Sequence, residues 1–306
     1  MNAKRAGILF CAMVLFDVSV ELLMAFTELG KHIGVVEALV ASELIMIIPC
    51  ILAFLFCKEP FGQTFGVRKV RPVLIPLCIV LTWTILPLVT CCNAFTMYFS
   101  ENEAAAIFEN LSGLPLPVIA LFTSLIAPVC EEWTFRGILY TGFRKNGSAL
   151  QAMLITAVLF GLFHANLNQM MYAMVLGIVF AALREVTGSI LPSIICHMTV
   201  NGGSTLLLLL GSGELGETLG ESSDVLTPET VSMLLSLMIP VAAVMIAPAL
   251  GVLIKIAKTQ KALPKLQNIV EGRVREKGHI IGIPLIVGMV ICVGLVVLNL
   301  VVQTAS

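Results

Sequence analysis

IPLIVGMVICVGLVVLNLVV, residues 283–302, runs for twenty residues without a charged side chain. A helix needs about 20 apolar residues to cross a hydrocarbon core roughly 30 Å thick, and within lipid it satisfies all its backbone polar groups internally. This stretch therefore reads as a transmembrane helix. Working outward, apolar runs occupy 7–27, 33–57, 72–92, 113–129 continuing to about 143, 149–163, 168–183, 189–210, 230–254 and 280–302. Composition agrees: 58% of the chain is apolar and 12% charged, against about 45–50% and 25% in soluble domains, and the mean hydropathy is +1.01. The expected fold class is an all-α polytopic transmembrane bundle of about eight or nine spans. The fifth and sixth runs are short and separated by a turn near Asn166, so they read as a pair that does not cross fully.

Orientation follows from the basic loops. Lys4 and Arg5 precede the first run; Lys58, Arg68, Lys69 and Arg71 follow the second; Arg144 and Lys145 follow the fourth; Arg184 follows the sixth. The polar 255–277 loop holds Lys255, Lys258, Lys261, Lys265, Arg273, Arg275 and Lys277. With nine spans, all of these fall on one side. The opposite loops carry Glu101, Glu103, Glu109, Glu214, Glu217, Glu221, Asp224 and Glu229. The expected location is the cell membrane, multi-pass, with a cytoplasmic N-terminus and the C-terminus outside. The first run contains Asp17 and Glu21 and lacks a small-residue cleavage site, so a cleavable signal peptide is not expected. The loop at 255–279 reads either as an amphipathic segment on the inner leaflet or as a solvated linker. A net charge of −1 with no basic stripe gives no indication of nucleic acid. Nine scattered cysteines without a CxxC pair read as small apolar fillers. Three parts are expected: N-terminal helices at 1–112, a core at 113–210, and C-terminal helices at 211–306.

An ionisable group at bilayer depth costs on the order of 2.5–3.5 kcal/mol, so such groups are paired or face a cavity and usually serve a function. Here they gather between 131 and 201. The first cluster is PVCEEWTFRG, residues 128–137. On a helix Glu132 and Arg136 share a face and can pair, while Glu131 points away and is left for a cavity. Glu131 then suits a general base or acid. The second cluster places Phe160 four residues before His164, followed by Asn166 and Asn168. The third places His197 four before Asn201. Peptide hydrolysis needs an activated water and donors for the tetrahedral oxyanion. Glu131 and His164 can hold and deprotonate the water, and His197 and Asn201 can face the oxyanion. Alternatively, Glu131, His164 and His197 are three metal ligands with an open fourth position. Asp17, Glu21, Glu37 and Glu43 add acidic groups to the first two runs, read mainly as helix-packing or cavity residues. A proton-coupled transporter or a non-catalytic immunity or scaffold protein are the alternative readings.

The three motifs, EExxxR, FxxxH and HxxxN in this order, resemble the type II CAAX prenyl endopeptidases and their bacterial relatives, the CPBP (Abi) family. They stand here as Glu131-Glu132-Arg136, Phe160-His164 and His197-Asn201, within roughly residues 115–205. The resemblance implies an intramembrane endopeptidase of the CAAX-protease or bacteriocin-processing type, with Glu131, His164 and His197 essential and a water-filled cavity. Its partners would be a membrane-associated or prenylated-type peptide and the lipid bilayer. The family is classed with metallopeptidases, which makes Zn2+ the candidate cofactor on Glu131, His164 and His197; a metal-free glutamate mechanism uses the same positions. Cys130 and Cys196 point to other helix faces and are left out as ligands.

Overall fold

The computed structural model describes residues 1–58, 60–102, 110–111, 113–211, 227–272 and 279–305, with side chains at all of these but 29, 207–211 and 305. Glu103, Glu109, Glu214, Glu217, Glu221, Asp224, Arg273, Arg275 and Lys277 of the loop-charge reading lie outside the described residues.

Each apolar run is a helix. They are α1 (Ala3–Phe26), α2 (Val35–Cys57), α3 (Leu74–Thr96), α4 (Leu116–Asn146), α5 (Ala149–Phe163), α6 (Leu167–Thr187), α7 (Leu191–Gly211), α8 (Pro228–Thr259), α9 (Leu263–Glu271) and α10 (Ile283–Ala305). Among the described residues there is no β-strand. Seven helices, α1–α4, α6, α8 and α10, are long and apolar enough to cross a membrane. Helix α7 adds 21 residues. The chain is a multi-pass helical membrane bundle. Helices α3 and α8 pack along one another, as do α5 with α6 and α1 with α10, while α7 lies against α3, α4 and α6. All nine cysteines are free thiols.

The helices meet at a common basic end. The Ala3 N–H donates to Asn146 Oδ1 at 3.0 Å, joining the start of α1 to the end of α4. Arg184 Nη2 donates to the Gln63 carbonyl at 3.2 Å. Arg68 and Lys265 close around Gly188, whose φ of +71° ends α6. Arg144 Nη2 and Tyr140 Oη both reach Glu185, at 3.2 and 2.7 Å, tying α4 to α6. One expectation needs correcting. The polar segment from 255 is not a loop at its start: α8 continues through Lys255 and Lys258, and α9 then packs Ile269 inward. Lysine stems cover apolar surface while their ammonium groups stay in water, so these residues extend the helix beyond the hydrocarbon.

Helix α5 is the element that matters most for the site. Its 15 residues span about 22 Å at 1.5 Å each, short of the bilayer core. The chain turns back at Ala165, whose φ is +55°. A turn between two apolar helices of a membrane bundle needs its polar groups satisfied by protein. Asn166 does so: Oδ1 accepts from the Gln169 N–H at 2.7 Å and Nδ2 donates to the His164 carbonyl at 2.9 Å. Gly161 and Gly177 let α5 and α6 approach, since a Cβ on Gly161 would meet the Met170 carbonyl oxygen at 2.6 Å and one on Gly177 the Ala157 Cα at 2.9 Å. Replacing Asn166 with alanine removes an N-cap and the carbonyl's donor. It is expected to lower stability by about 1–2 kcal/mol, measurable by SDS titration of the protein in bicelles.

Candidate active site

The site is assembled from the middle of α4, the C-terminal end of α5 and the middle of α7. Helix α4 is not uniformly α. Two π-helical stretches, Phe122–Ile126 and Trp133–Leu139, enclose a short α-helical stretch, Ala127–Glu132. Pro128 accounts for the first. It has no N–H to donate and its ring crowds the preceding turn. The Ala127 N–H bonds five residues back, to Phe122. The Thr123 carbonyl thereby loses its ladder partners at Ala127 and at Pro128. Asn201 supplies the missing donor, with Nδ2 at 2.9 Å from that oxygen. The last residue of the HxxxN motif thus fastens α7 to the widened turn of α4 with one of its two amide hydrogens.

Glu132 and Arg136 form the expected ion pair. Arg136 Nη1 stands 2.8 Å from Glu132 Oε1, and both side chains are 0% exposed. The guanidinium carbon lies 4.2 Å from the Phe160 ring centroid and 5.2 Å from that of Phe180, so the cation is stacked between α5 and α6. Glu132 Oε1 also receives His197 Nδ1 at 3.2 Å. The other ring nitrogen, Nε2, faces Glu131 Oε2 at 3.5 Å. His197 is held by rings as well, 5.1 Å from Phe180 and 5.9 Å from Phe160 between centroids. A chain of contacts therefore runs from Arg136 through Glu132 and His197 to Glu131. In the sequence reading His197 faced an oxyanion; here both its nitrogens are turned to carboxylates.

His164 occupies the end of α5, with Nδ1 2.8 Å from the Phe160 carbonyl. A carbonyl oxygen only accepts, so Nδ1 carries a proton, and in the neutral imidazole Nε2 is the acceptor. Its ring packs edge-on to Phe160, 5.1 Å between centroids. Glu131, His164, His197 and Asn201 line one cavity of about 360 Å³. The sequence singled out these residues individually, and the fold brings them together. Glu132 and Arg136 stand behind them, fully buried.

Glu43 of α2 lines the same cavity. Sequence reading had it only as one of four acidic residues in the first two spans; a carboxylate at bilayer depth was the signal. Phe180 carried no signal, since one phenylalanine among sixteen says nothing of what it stacks on. Asp17 and Glu21 line a second cavity of about 490 Å³ between α1 and α2. Glu37 is exposed in the first turn of α2, where the helix N-terminus favours a carboxylate. Among the described residues, no three His, Cys, Asp or Glu side chains stand together so as to hold a metal ion. The Cys196 thiol donates to the Cys78 carbonyl at 3.4 Å and turns away from the site.

Residues 113–203 match the family of the type II CAAX prenyl endopeptidases, Rce1-like. This core is similar to that family. The matched stretch runs from the start of α4 to α7 and contains all three motifs. A curated relative described as "Putative membrane peptidase YdiL", from Bacillus subtilis (strain 168), is 32% identical over 102 residues, which is 33% of this chain and 41% of the relative. The chain thus aligns with about two fifths of that relative's length. No solved structure matches the chain. The helices outside the Rce1-like core, including α2 with Glu43, fall outside the family match.

Proposed function

We propose that the chain is an intramembrane endopeptidase that hydrolyses a peptide bond in a membrane-associated peptide, using a water activated by Glu131. The observation that carries this reading is the shared cavity: Glu131, His164 and His197, from three helices, line one space of about 360 Å³. Membrane-depth groups of this kind are costly unless they serve a function. The Rce1-like core supports the same class of chemistry, and a prenylated cysteine peptide is the first substrate to try.

The steps follow from the contacts. Glu131 takes a proton from the water as its oxygen bonds to the scissile carbonyl carbon. His197 Nε2 receives a hydrogen bond from the newly protonated Glu131 Oε2. Glu132 fixes the His197 tautomer by accepting from Nδ1, and Arg136 pairs with Glu132 from behind. His164 Nε2, an acceptor, orients the substrate amide. The second amide hydrogen of Asn201 is the donor for the oxyanion. The proton on Glu131 then passes to the amide nitrogen as the C–N bond breaks, and Glu131 is restored. The basic end of the bundle faces the cytoplasm, which puts the N-terminus inside.

Zinc on Glu131, His164 and His197 would polarise the carbonyl and activate water. Among the described residues those three are not grouped as a ligand set. No step is routed through a metal. Dialysis against a chelator is accordingly expected to leave turnover unchanged, and mass spectrometry to find substoichiometric zinc. Chelator-sensitive turnover restored by zinc would replace this mechanism with a metal-based one.

The reading is tested in native membranes. Cells carrying Glu131→Gln at wild-type abundance are expected to accumulate uncleaved membrane peptides that wild-type cells process. An identical peptide pool, with altered solute flux instead, would reverse the conclusion in favour of transport.

A further inference from the structure

We infer that Glu43 is a catalytic residue, a second carboxylate that holds the reacting water jointly with Glu131. This deepens the peptidase reading and rests on it. Glu43 comes from α2, beyond the Rce1-like core. It stands near enough to Glu131 and the Cys130 thiol to be coupled to both electrostatically. Glu43 Oε2 and Glu131 Oε2 are both buried, and neither has a hydrogen-bond partner among the described residues. Both residues line the same cavity as His164 and His197.

Neither of these oxygens meets a donor, from the other carboxyl group or from any other described residue, and a carboxylate oxygen only accepts. Buried polar atoms are almost always hydrogen-bonded, to protein or to ordered water. A molecule with two hydrogens to give resolves the pair, and water is that molecule. The cavity is ample, since a single water needs roughly 10–15 Å³. A water so held points one hydrogen at each carboxylate and turns its lone pairs outward, toward an incoming carbonyl carbon. In the reaction the hydrogen on the Glu131 side is transferred to Oε2 as the C–O bond forms. The hydrogen on the Glu43 side stays with the water oxygen and ends in the product carboxyl group. Glu43 therefore gains and loses no proton; it fixes the direction of attack.

The test uses the full chain in lipid nanodiscs and the peptide pool extracted from Glu131→Gln membranes. Glu43→Met and Glu43→Ala remove the acceptor while differing in volume. Both are expected to lower kcat about 100-fold, the usual cost of a misplaced reactant, with KM and the folding midpoint unchanged. Glu43→Gln keeps an accepting oxygen and is expected to stay within about tenfold of wild type, on the same grounds. If kcat in Glu43→Met and Glu43→Ala stays at the wild-type level while Glu131→Gln is inactive, Glu43 holds no reacting water and the peptidase reading stands. Losses that follow the folding midpoint, and that Glu43→Gln does not relieve, would also overturn the inference. Wild-type protein that cleaves nothing in the pool removes the peptidase reading itself.

Discussion

Replacing Arg136 with methionine is expected to cost the fold about 3–5 kcal/mol, because it leaves Glu132 charged and buried without its cation. The size follows from the surroundings. Both side chains are 0% exposed, and α5 and α6 close over them through Phe160 and Phe180. Arg136 itself is stacked, so a lysine would restore charge but not the planar contact with both rings. Removing both charges is different. Glu132→Met together with Arg136→Met is expected to recover most of the stability, since apolar replacement of a buried ion pair is often neutral or favourable. The recovered protein is nevertheless expected to be inactive, because His197 then lacks the acceptor that fixes its Nδ1 proton. Denaturant titration in micelles and a cleavage assay on the same samples separate the two effects. Equal activity in the double variant and wild type would show that the Glu132–His197 contact does not matter for the reaction.

Glu131→Gln has the opposite profile. The amide is close in size to the carboxylate and cannot take up a proton from water. Loss of a general base costs typically 10²–10⁴-fold in rate, and that range is expected in kcat. Stability is expected to be unchanged or slightly higher, because an ionisable group at bilayer depth has been made neutral. Glu131 side-chain exposure is 20%, against 0% for its neighbour Glu132. Substitution at Glu131 is therefore expected to lower rate without loss of stability, and loss of the Glu132 partner to lower both. A stability loss in Glu131→Gln as large as in Arg136→Met would erase that division of labour.

The bundle was legible because lipid imposes one rule on the backbone, and runs such as 283–302 obey it plainly. The short α5 was legible for the same reason, fifteen apolar residues being too few to cross. The Glu132–Arg136 pair followed from four-residue helical spacing, and it survives although the helix widens into a π turn beyond Trp133. That widening was not legible. It depends on how Pro128 displaces the ladder, and the need it creates is met 73 residues later, by Asn201. Nor did spacing reveal that both His197 nitrogens turn to carboxylates, because that is decided by the angle at which α7 meets α4. Glu43 stood out as a charge in lipid, but its proximity to Glu131 is a property of packing between α2 and α4. Local pattern fixed which groups are expensive; tertiary contact fixed which of them meet.

The account stands on hydrolysis by Glu131 in the shared cavity, and oxygen labelling addresses it directly. The protein in nanodiscs, given the accumulated peptide pool in H2¹⁸O, is expected to place one heavy oxygen in each new C-terminal carboxyl group, and Glu131→Gln to place none. Cleavage that persists undiminished in Glu131→Gln, or wild-type protein that forms no labelled C-terminus, would contradict it.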